Sequence, residues 1–301
     1  MKIEIRIILL LSCLWTACED TIDVNLDEGD PLLVVDAWIN DLPQEQVILL
    51  SLTQSYFSEE DAPVVTDAIV TVTSDAGTRY DFTERNQGEY VWSPTPLVPT
   101  FGAVGTDYTL SVRMESGEEY QAFSSMNRVP TLDSVSFKFE EETLFLPDSY
   151  LAEFWARDLV GVGDTYWIQA YKNGEFLNLP SDITIAYDAG ISQGDGDTDG
   201  RVFLQPIREG INPDIEDEDG DQLSPYAIGD SVYVEIHSIT NDAFDYLLEV
   251  STQTDRPGGF AELFSQPLAN VPTNIVHVNG DNPAVGFFNT ASVSGNGRRL
   301  E

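Results

Sequence analysis

The chain has 301 residues and a formal net charge of −38, from 52 acidic and 14 basic residues. This balance excludes the basic surface that binding to nucleic-acid phosphates requires, and a large negative charge favours solubility. Hydrophobic residues make up 42% of the chain and aromatic residues 11%, which is too much for a disordered acidic chain. A length near 300 residues suits two folded domains.

The N-terminal segment, residues 1–17, has the layout of a secretory signal peptide. A basic start precedes an apolar stretch at residues 7–11, and small residues stand directly before Cys18. The apolar stretch is too short to cross a bilayer, which takes about 20 residues. We therefore expect cleavage before Cys18 and lipidation of its thiol, with Cys13 as the rival site.

Cysteine usage agrees with this interpretation, since both cysteines of the chain lie in the N-terminal segment. No disulfide, thiol nucleophile or cysteine-ligated metal is then expected in the folded part. Residues 18–30 are predicted to form an acidic tether behind a lipid anchor, and two or more acyl chains would hold the protein firmly at a membrane. Acidic residues after the lipidated cysteine resemble the signal that sends Bacteroidota lipoproteins to the cell surface. The expected location is therefore the outer membrane, facing outward.

Strand signals begin at residue 31 and continue to residue 129 without a helical stretch. The strongest covers Asp107 to Met114, where apolar and polar residues alternate with a period of two. Six or seven short strands in about 100 residues, separated by turn signals, are typical of a β-sandwich. We predict an immunoglobulin-like or transthyretin-like β-sandwich over residues 31–129.

Residues 130–301 are predicted to form a second β-rich domain that contains one amphipathic helix. The helix is expected at about residues 241–252, with Asn241 or Asp242 as its cap. Its predicted apolar face consists of Ala243, Phe244, Leu247, Leu248 and Ser251. The predicted fold class is thus mainly β, with the helix packed against the second sheet.

Catalytic motifs are absent from the sequence, which has no Gly-x-Ser-x-Gly elbow, no His-Glu-x-x-His and no phosphate-binding glycine loop. The chain has two histidines, His237 and His277. His237 shares strand parity with Tyr233 and Glu235, and we expect that face to meet solvent. A non-enzymatic protein is the primary prediction. Hydrolysis by two carboxylates, as in glycosidases, stays open because acidic residues are abundant.

A calcium loop is one interpretation of Asp195, Asp197 and Asp199, which alternate with small residues and are followed by Gly200. Oxygen ligands at alternate positions with a glycine at the turn are how such loops begin. The twelfth position holds proline instead of glutamate, so the loop is not an EF-hand. A second acidic run at residues 214–221 could complete the site, and a solvated acidic loop without any metal is the alternative.

Exposed aromatic residues could stack on a carbohydrate or peptide ligand, although core packing is the commoner role of such residues. Tyr56, Phe57 and Trp155 stand beside polar stretches and are expected at the surface. The tryptophans Trp38, Trp92 and Trp167 fall within predicted strands and are expected in the core.

Several segments of the chain resemble a family of Bacteroidota lipoproteins, the domain of unknown function 4249 family. They are residues 18–23, 32–39, 70–90, 246–247, 267–275 and 286–288. The resemblance implies an outer-membrane lipoprotein encoded beside a TonB-dependent receptor, and it carries over no catalytic residues.

The predicted function is a non-enzymatic accessory to such a transporter in the capture or uptake of a small ligand. A glycan, a peptide and a metal complex remain open as the ligand. A surface-anchored glycan or peptide hydrolase, or a structural or adhesive surface protein, is the alternative.

Overall fold

Strands dominate the computed structural model, which describes residues 29–55, 58, 60–143, 147–193, 198–259 and 261–301. Strand accounts for 43% of the residues and helix for 10%, so the predicted mainly β class is confirmed. The strands are β1 (Leu33–Asn40), β2 (Gln46–Leu52), β3 (Ile69–Ser74), β4 (Arg79–Asn86), β5 (Glu89–Trp92), β6 (Asp107–Arg113), β7 (Glu119–Ser125), β8 (Leu132–Glu140), β9 (Ser149–Ala156), β10 (Thr165–Lys172), β11 (Glu175–Phe176), β12 (Thr184–Tyr187), β13 (Ser231–Ile239), β14 (Val276–His277), β15 (Ala284–Ala291) and β16 (Val293–Arg299). The helices are α1 (Gln205–Glu209) and α2 (Asn241–Thr254), with 3-10 turns at Pro180–Asp182 and Ala261–Phe264.

The larger sheet has nine strands in the order β14-β7-β6-β3-β4-β5-β2-β1-β15. Its inner face is built by period-two alternation, as β1 shows. Leu33, Val35, Ala37 and Ile39 are almost fully buried in one core, whereas the residues between them lie on the opposite face. The same inner core contains apolar side chains from β2 to β7, so one continuous cluster fills the concave side of the sheet.

Side chains join the two ends of this sheet, where β7 approaches β15. The backbone N–H of Thr290 donates to the hydroxyl of Ser124 at 2.8 Å. The amide of Asn274 exchanges two hydrogen bonds with the backbone of Phe288, at 2.8 and 3.0 Å, and donates a third to the carbonyl of Phe123 at 3.2 Å. Between β7 and β15 these bonds take the place of backbone hydrogen bonds between paired strands, so the sheet curls around its core.

The last long strand of the larger sheet comes from the C-terminal part of the chain. Strand β15 runs parallel to β1, in register from Leu33 opposite Ala284 to Asn40 opposite Ala291. Strand β14 pairs with β7 at the other end of the sheet. The chain therefore returns across the predicted boundary at residues 129–130, and Pro31–Glu301 forms one compact unit.

A second sheet of five strands is built from residues 165–299, in the order β11-β10-β13-β16 with β12 also paired to β10. Strands β8 and β9 form a separate two-stranded sheet. Alternate residues of β10 and β13, such as Tyr166, Ile168, Val234 and Ile236, are buried with Phe154 and other side chains of β8 and β9 in a second core. The opposite faces of β10 and β13 are therefore free to form other contacts.

The predicted helix is observed as α2, at Asn241–Thr254. Its cap is Thr240, whose hydroxyl accepts the N–H of Ala243 at 3.2 Å, so the predicted cap at Asn241 or Asp242 was wrong by one residue or more. Ala243, Phe244 and Leu247 are buried as expected, whereas Leu248 is 48% exposed. Within the part of the chain that the structure describes, no helix is both long and apolar enough to cross a membrane.

Candidate ligand-binding cleft

The non-core face of β1 forms one wall of a cleft between the two large sheets. Because alternate residues of a strand point to opposite sides, Asp36, Trp38 and Asn40 share this face. Val47 and Leu49 of the neighbouring strand β2 continue the wall. The local sequence of β1 thus provides both an apolar core face and a mixed aromatic and acidic face.

The opposite wall is built from the non-core faces of β10 and β13. The antiparallel register places Trp167 beside His237, and Gln169 beside Glu235. Tyr171 follows on the same face of β10, next to Phe176 of β11 at a ring-centroid distance of 5.2 Å. This wall therefore alternates large rings with polar groups that can form hydrogen bonds.

Two adjoining pockets occupy the cleft, with volumes of about 390 and 290 Å³. These sizes lie near the lower end of the range for small-molecule sites, about 300–1,000 Å³. Four residues line both pockets: Asp36, Trp38, Trp167 and Phe176. We call this set the junction, because it lies where the two pockets meet.

Ring contacts fix the aromatic side chains around the junction. Trp38 lies 5.0 Å from Trp167, centroid to centroid, with the rings at 65°. Phe287 stacks against Trp38 from behind at 5.9 Å, and Tyr246 lies 6.1 Å from Trp38. Such ring pairs add roughly 0.5–1.5 kcal/mol beyond the area they bury. Four aromatic side chains from β1, β10, α2 and β15 therefore hold one another in place.

The prediction that three tryptophans belong to the core was right for one of them. Trp92 is buried, with 9% of its surface exposed, and packs in the first core. Trp38 and Trp167 are only half-buried and line the cleft. Strand parity could have indicated this, because Trp38 shares its face with Asp36 and not with Val35.

Asp36 has no hydrogen-bond or ion-pair partner among the described residues. Its side chain is exposed to solvent at the mouth of the cleft, although the protein around it removes part of its hydration. Desolvation accordingly raises the pKa of Asp36 above its usual value of 3.8. The carboxylate is therefore exposed and unpaired, and its charged form is less favourable than that of a free aspartate.

A second polar group of the cleft is already paired. The carboxylate of Glu235 lies 2.9 Å from Nε2 of His237, and each residue is 7% exposed. Burial and the nearby Glu235 raise the pKa of Tyr171 to about 12, so the Tyr171 hydroxyl remains a hydrogen-bond donor at neutral pH. The expectation that His237 faces solvent was wrong. The strand face on which His237 lies was inferred correctly, but the larger sheet covers that face of β13.

Three aspartates form a separate cluster outside the cleft. Asp199 lies with Asp158 and Asp188, and one carboxylate oxygen of each is within 4.8 Å of the others. Hydrogen bonds within the protein stabilise these charges, since Tyr166 donates its hydroxyl to Asp158 at 2.6 Å and the N–H of Gly161 donates to Asp199 at 2.7 Å. Burial raises the pKa of Asp158, and the bond from Tyr166 counteracts that rise.

Of the four predicted site residues, Asp199 lies in this cluster. Cys18, Asp195 and Asp197 lie outside the described residues. Of the predicted metal ligands only Asp199 is described, and Asp158 and Asp188 were not anticipated because 30 or more residues of sequence separate Asp158 from the other two. The acidic run at residues 214–221 contributes no side chain to the described cluster.

The sequence model of the domain of unknown function (DUF4249) matches residues 19–296. The chain belongs to this family. No curated protein matches it. Three of the segments on which the family resemblance rests contain Trp38, Tyr246 and Phe287, whose rings meet behind the cleft.

Replacement of Asp36 by asparagine is expected to raise the melting temperature of this DUF4249 protein at neutral pH. A carboxyl whose folded pKa is raised stabilises the fold most below its unfolded pKa, and this contribution is lost as pH rises through the folded pKa. The gain of D36N over wild type should therefore shrink as pH falls toward 3.8.

Thermal unfolding of both proteins across that pH range measures the difference. The other titratable groups of the two pockets contribute equally to the pH dependence of both proteins, so their contributions cancel in the difference. These groups are Tyr171, Asp182, Glu235, His237 and Tyr246. A gain that stays constant from neutral pH to pH 3.8 would contradict the assignment of the effect to ionised Asp36.

Calcium binding at Asp195, Asp197 and Asp199 stays a prediction. A bound ion would stabilise the fold by mass action, because the unfolded chain lacks the assembled site. Calcium added after chelation should then raise the melting temperature, and D199N should diminish that rise. An unchanged melting temperature of the wild-type protein would sink the calcium prediction.

Proposed function

We propose that this DUF4249 protein is a surface lipoprotein, anchored through Cys18, that captures a small ligand in the cleft and delivers it to a TonB-dependent transporter. The observation that carries the ligand-binding part is the unpaired Asp36 among half-buried aromatic side chains at the junction. A carboxylate that loses part of its hydration and gains no partner is less favourable in the folded protein than in the unfolded chain. Natural proteins retain such features where function requires them.

Other features of the chain support the location and the partner. The N-terminal layout, the acidic residues after Cys18 and the family resemblance favour an outer-membrane lipoprotein. The net charge of −38 suits a protein that must stay soluble on a crowded surface. Membership of the family supports the transporter as partner only through the resemblance described above.

A carboxylate hydrolase is a second candidate, favoured by one observation. Asp36 and Glu235 line the same pocket, and glycoside hydrolysis uses two carboxyl groups, one of which has a raised pKa. The pairing of Glu235 with His237 counts against a free nucleophile or base at that position. Hydrolysis of a surface glycan or peptide that is lost in both D36N and E235Q would favour this candidate over the accessory role.

The proposal is tested by affinity purification of the tagged, lipidated protein from detergent-solubilised outer membranes, with identification of the proteins that accompany it. We expect a TonB-dependent receptor in stoichiometric amount. An unrelated tagged lipoprotein from the same membranes serves as the control and should not recover that receptor. Recovery of the DUF4249 protein alone, under conditions that preserve other receptor complexes, would contradict docking on a transporter.

A further inference from the structure

We infer that the ligand carries an alkylammonium group, which binds at the junction between the carboxylate of Asp36 and the rings of Trp38 and Trp167. This inference rests on the proposed function, in that it takes the cleft to be the ligand site. It goes further by assigning the chemical class of the group that the site recognises. Three features of the junction support it: the arrangement of the rings, the unpaired carboxylate of Asp36, and a lining that contains no lysine or arginine among the described residues.

The rings at the junction form a corner and not a flat platform. Trp38 and Trp167 meet at 65°, and Trp167 and Phe176 meet at 69° with centroids 6.5 Å apart. The apolar C–H face of a sugar ring stacks best on one open aromatic face. A corner of several rings instead surrounds a compact group, and a cation within about 6 Å of ring centroids is attracted by their quadrupoles.

The position of Asp36 adds a full negative charge to this corner. Asp36 and Trp38 are two residues apart on β1, so both side chains leave the same face about 6.6 Å from each other along the strand. Asp36 also borders both pockets together with Trp167 and Phe176. A group held against the rings is thus within reach of the carboxylate.

Charge balance favours a cation over a neutral or anionic ligand. The described side chains that line the two pockets include three carboxylates, Asp36, Asp182 and Glu235, and no lysine or arginine. Asp182 accepts the backbone N–H of Leu179 at 2.9 Å, and Glu235 is paired with His237. Among these three, Asp36 is the carboxylate without a hydrogen-bond partner, so an anionic ligand would be repelled there and a neutral ligand would leave its charge unbalanced.

The electrostatic field of the whole chain also favours a cationic ligand. A net charge of −38 raises the local concentration of cations and speeds their association, and the effect weakens with ionic strength. The junction would supply the selectivity that this general attraction lacks, because only a cation with an apolar surface gains from the aromatic rings.

A pair of matched probes tests the inference: choline, and its uncharged isostere 3,3-dimethyl-1-butanol. We expect titration calorimetry of the full, folded protein to show choline binding at least tenfold tighter than the isostere. In D36N we expect choline to bind at least tenfold more weakly, while D36E, which retains the charge, should keep the preference for choline. The D245N variant is the control, since Asp245 lies exposed on α2 and does not line the cleft. It should bind choline as the wild-type protein does.

Equal binding of the two probes, or unchanged choline affinity in D36N, would overturn the inference while leaving a ligand cleft in place. Failure of the wild-type protein to bind choline at all would also overturn it. The proposed accessory role has a separate readout, the recovery of a receptor from membranes, which does not depend on either probe. Melting temperatures of D36N, D36E and D245N establish that each variant is folded before its affinity is compared.

Discussion

Replacement of Gly286 by alanine is expected to destabilise the fold by about 3 kcal/mol or more. Gly286 has φ of +90°, a conformation that disfavours any side chain. A β-carbon there would also lie 2.0 Å from the carbonyl oxygen of Val35 and 2.9 Å from its nitrogen. Both are backbone atoms of β1, so the clash is relieved only by separating β1 from β15.

The matched control for this variant is Gly77→Ala. Gly77 has a similar φ of +85°, but nothing lies within 4 Å of the position that its β-carbon would take. G77A should therefore lose only the cost of the backbone conformation, about 1–2 kcal/mol. Urea unfolding of the two variants measures the contrast. Equal losses would show that the close approach of β15 to β1 contributes nothing beyond backbone conformation.

Replacement of Trp38 by alanine is expected to abolish ligand binding and to lower the free energy of unfolding by roughly 2–4 kcal/mol. Trp38 contacts Trp167 of the second sheet, Phe287 of β15 and Tyr246 of α2. Its removal therefore leaves a cavity where three elements meet. The stability loss should fall below that of a fully buried tryptophan, since Trp38 is half-buried.

The control for W38A is W155A, which removes a tryptophan that does not line the cleft. Trp155 is 37% exposed, packs over the guanidinium of Arg208 at 4.3 Å and donates to the hydroxyl of Ser136 at 2.9 Å. W155A should retain choline affinity, and W38F should retain part of it by keeping an aromatic ring. Intact choline affinity in a folded W38A protein would contradict the assignment of the binding site.

Local patterns predicted much of the secondary structure. The strand from Asp107 to Met114 is observed as β6 at Asp107–Arg113, because its period-two alternation matches a sheet with one buried face. The helix was predicted within two residues at its C-terminus, since its apolar spacing follows the helical period. In both cases the signal lies within a dozen consecutive residues.

The candidate site could not be predicted in the same way, because it depends on packing between distant segments. The parity of Glu235 and His237 was correct, yet whether their face meets solvent or another sheet is not encoded in β13 itself. The unpaired state of Asp36 likewise follows only from the arrangement of β10 and α2 around it. The clustering of Asp158, Asp188 and Asp199 is a further contact of this kind.

Binding of the ligand at the junction of the cleft is tested most directly by a crystal structure of the protein with choline at a saturating concentration. We expect density for the trimethylammonium group beside the carboxylate of Asp36 and against the rings of Trp38 and Trp167. Choline bound elsewhere on the protein, with the junction empty, would contradict binding at the junction.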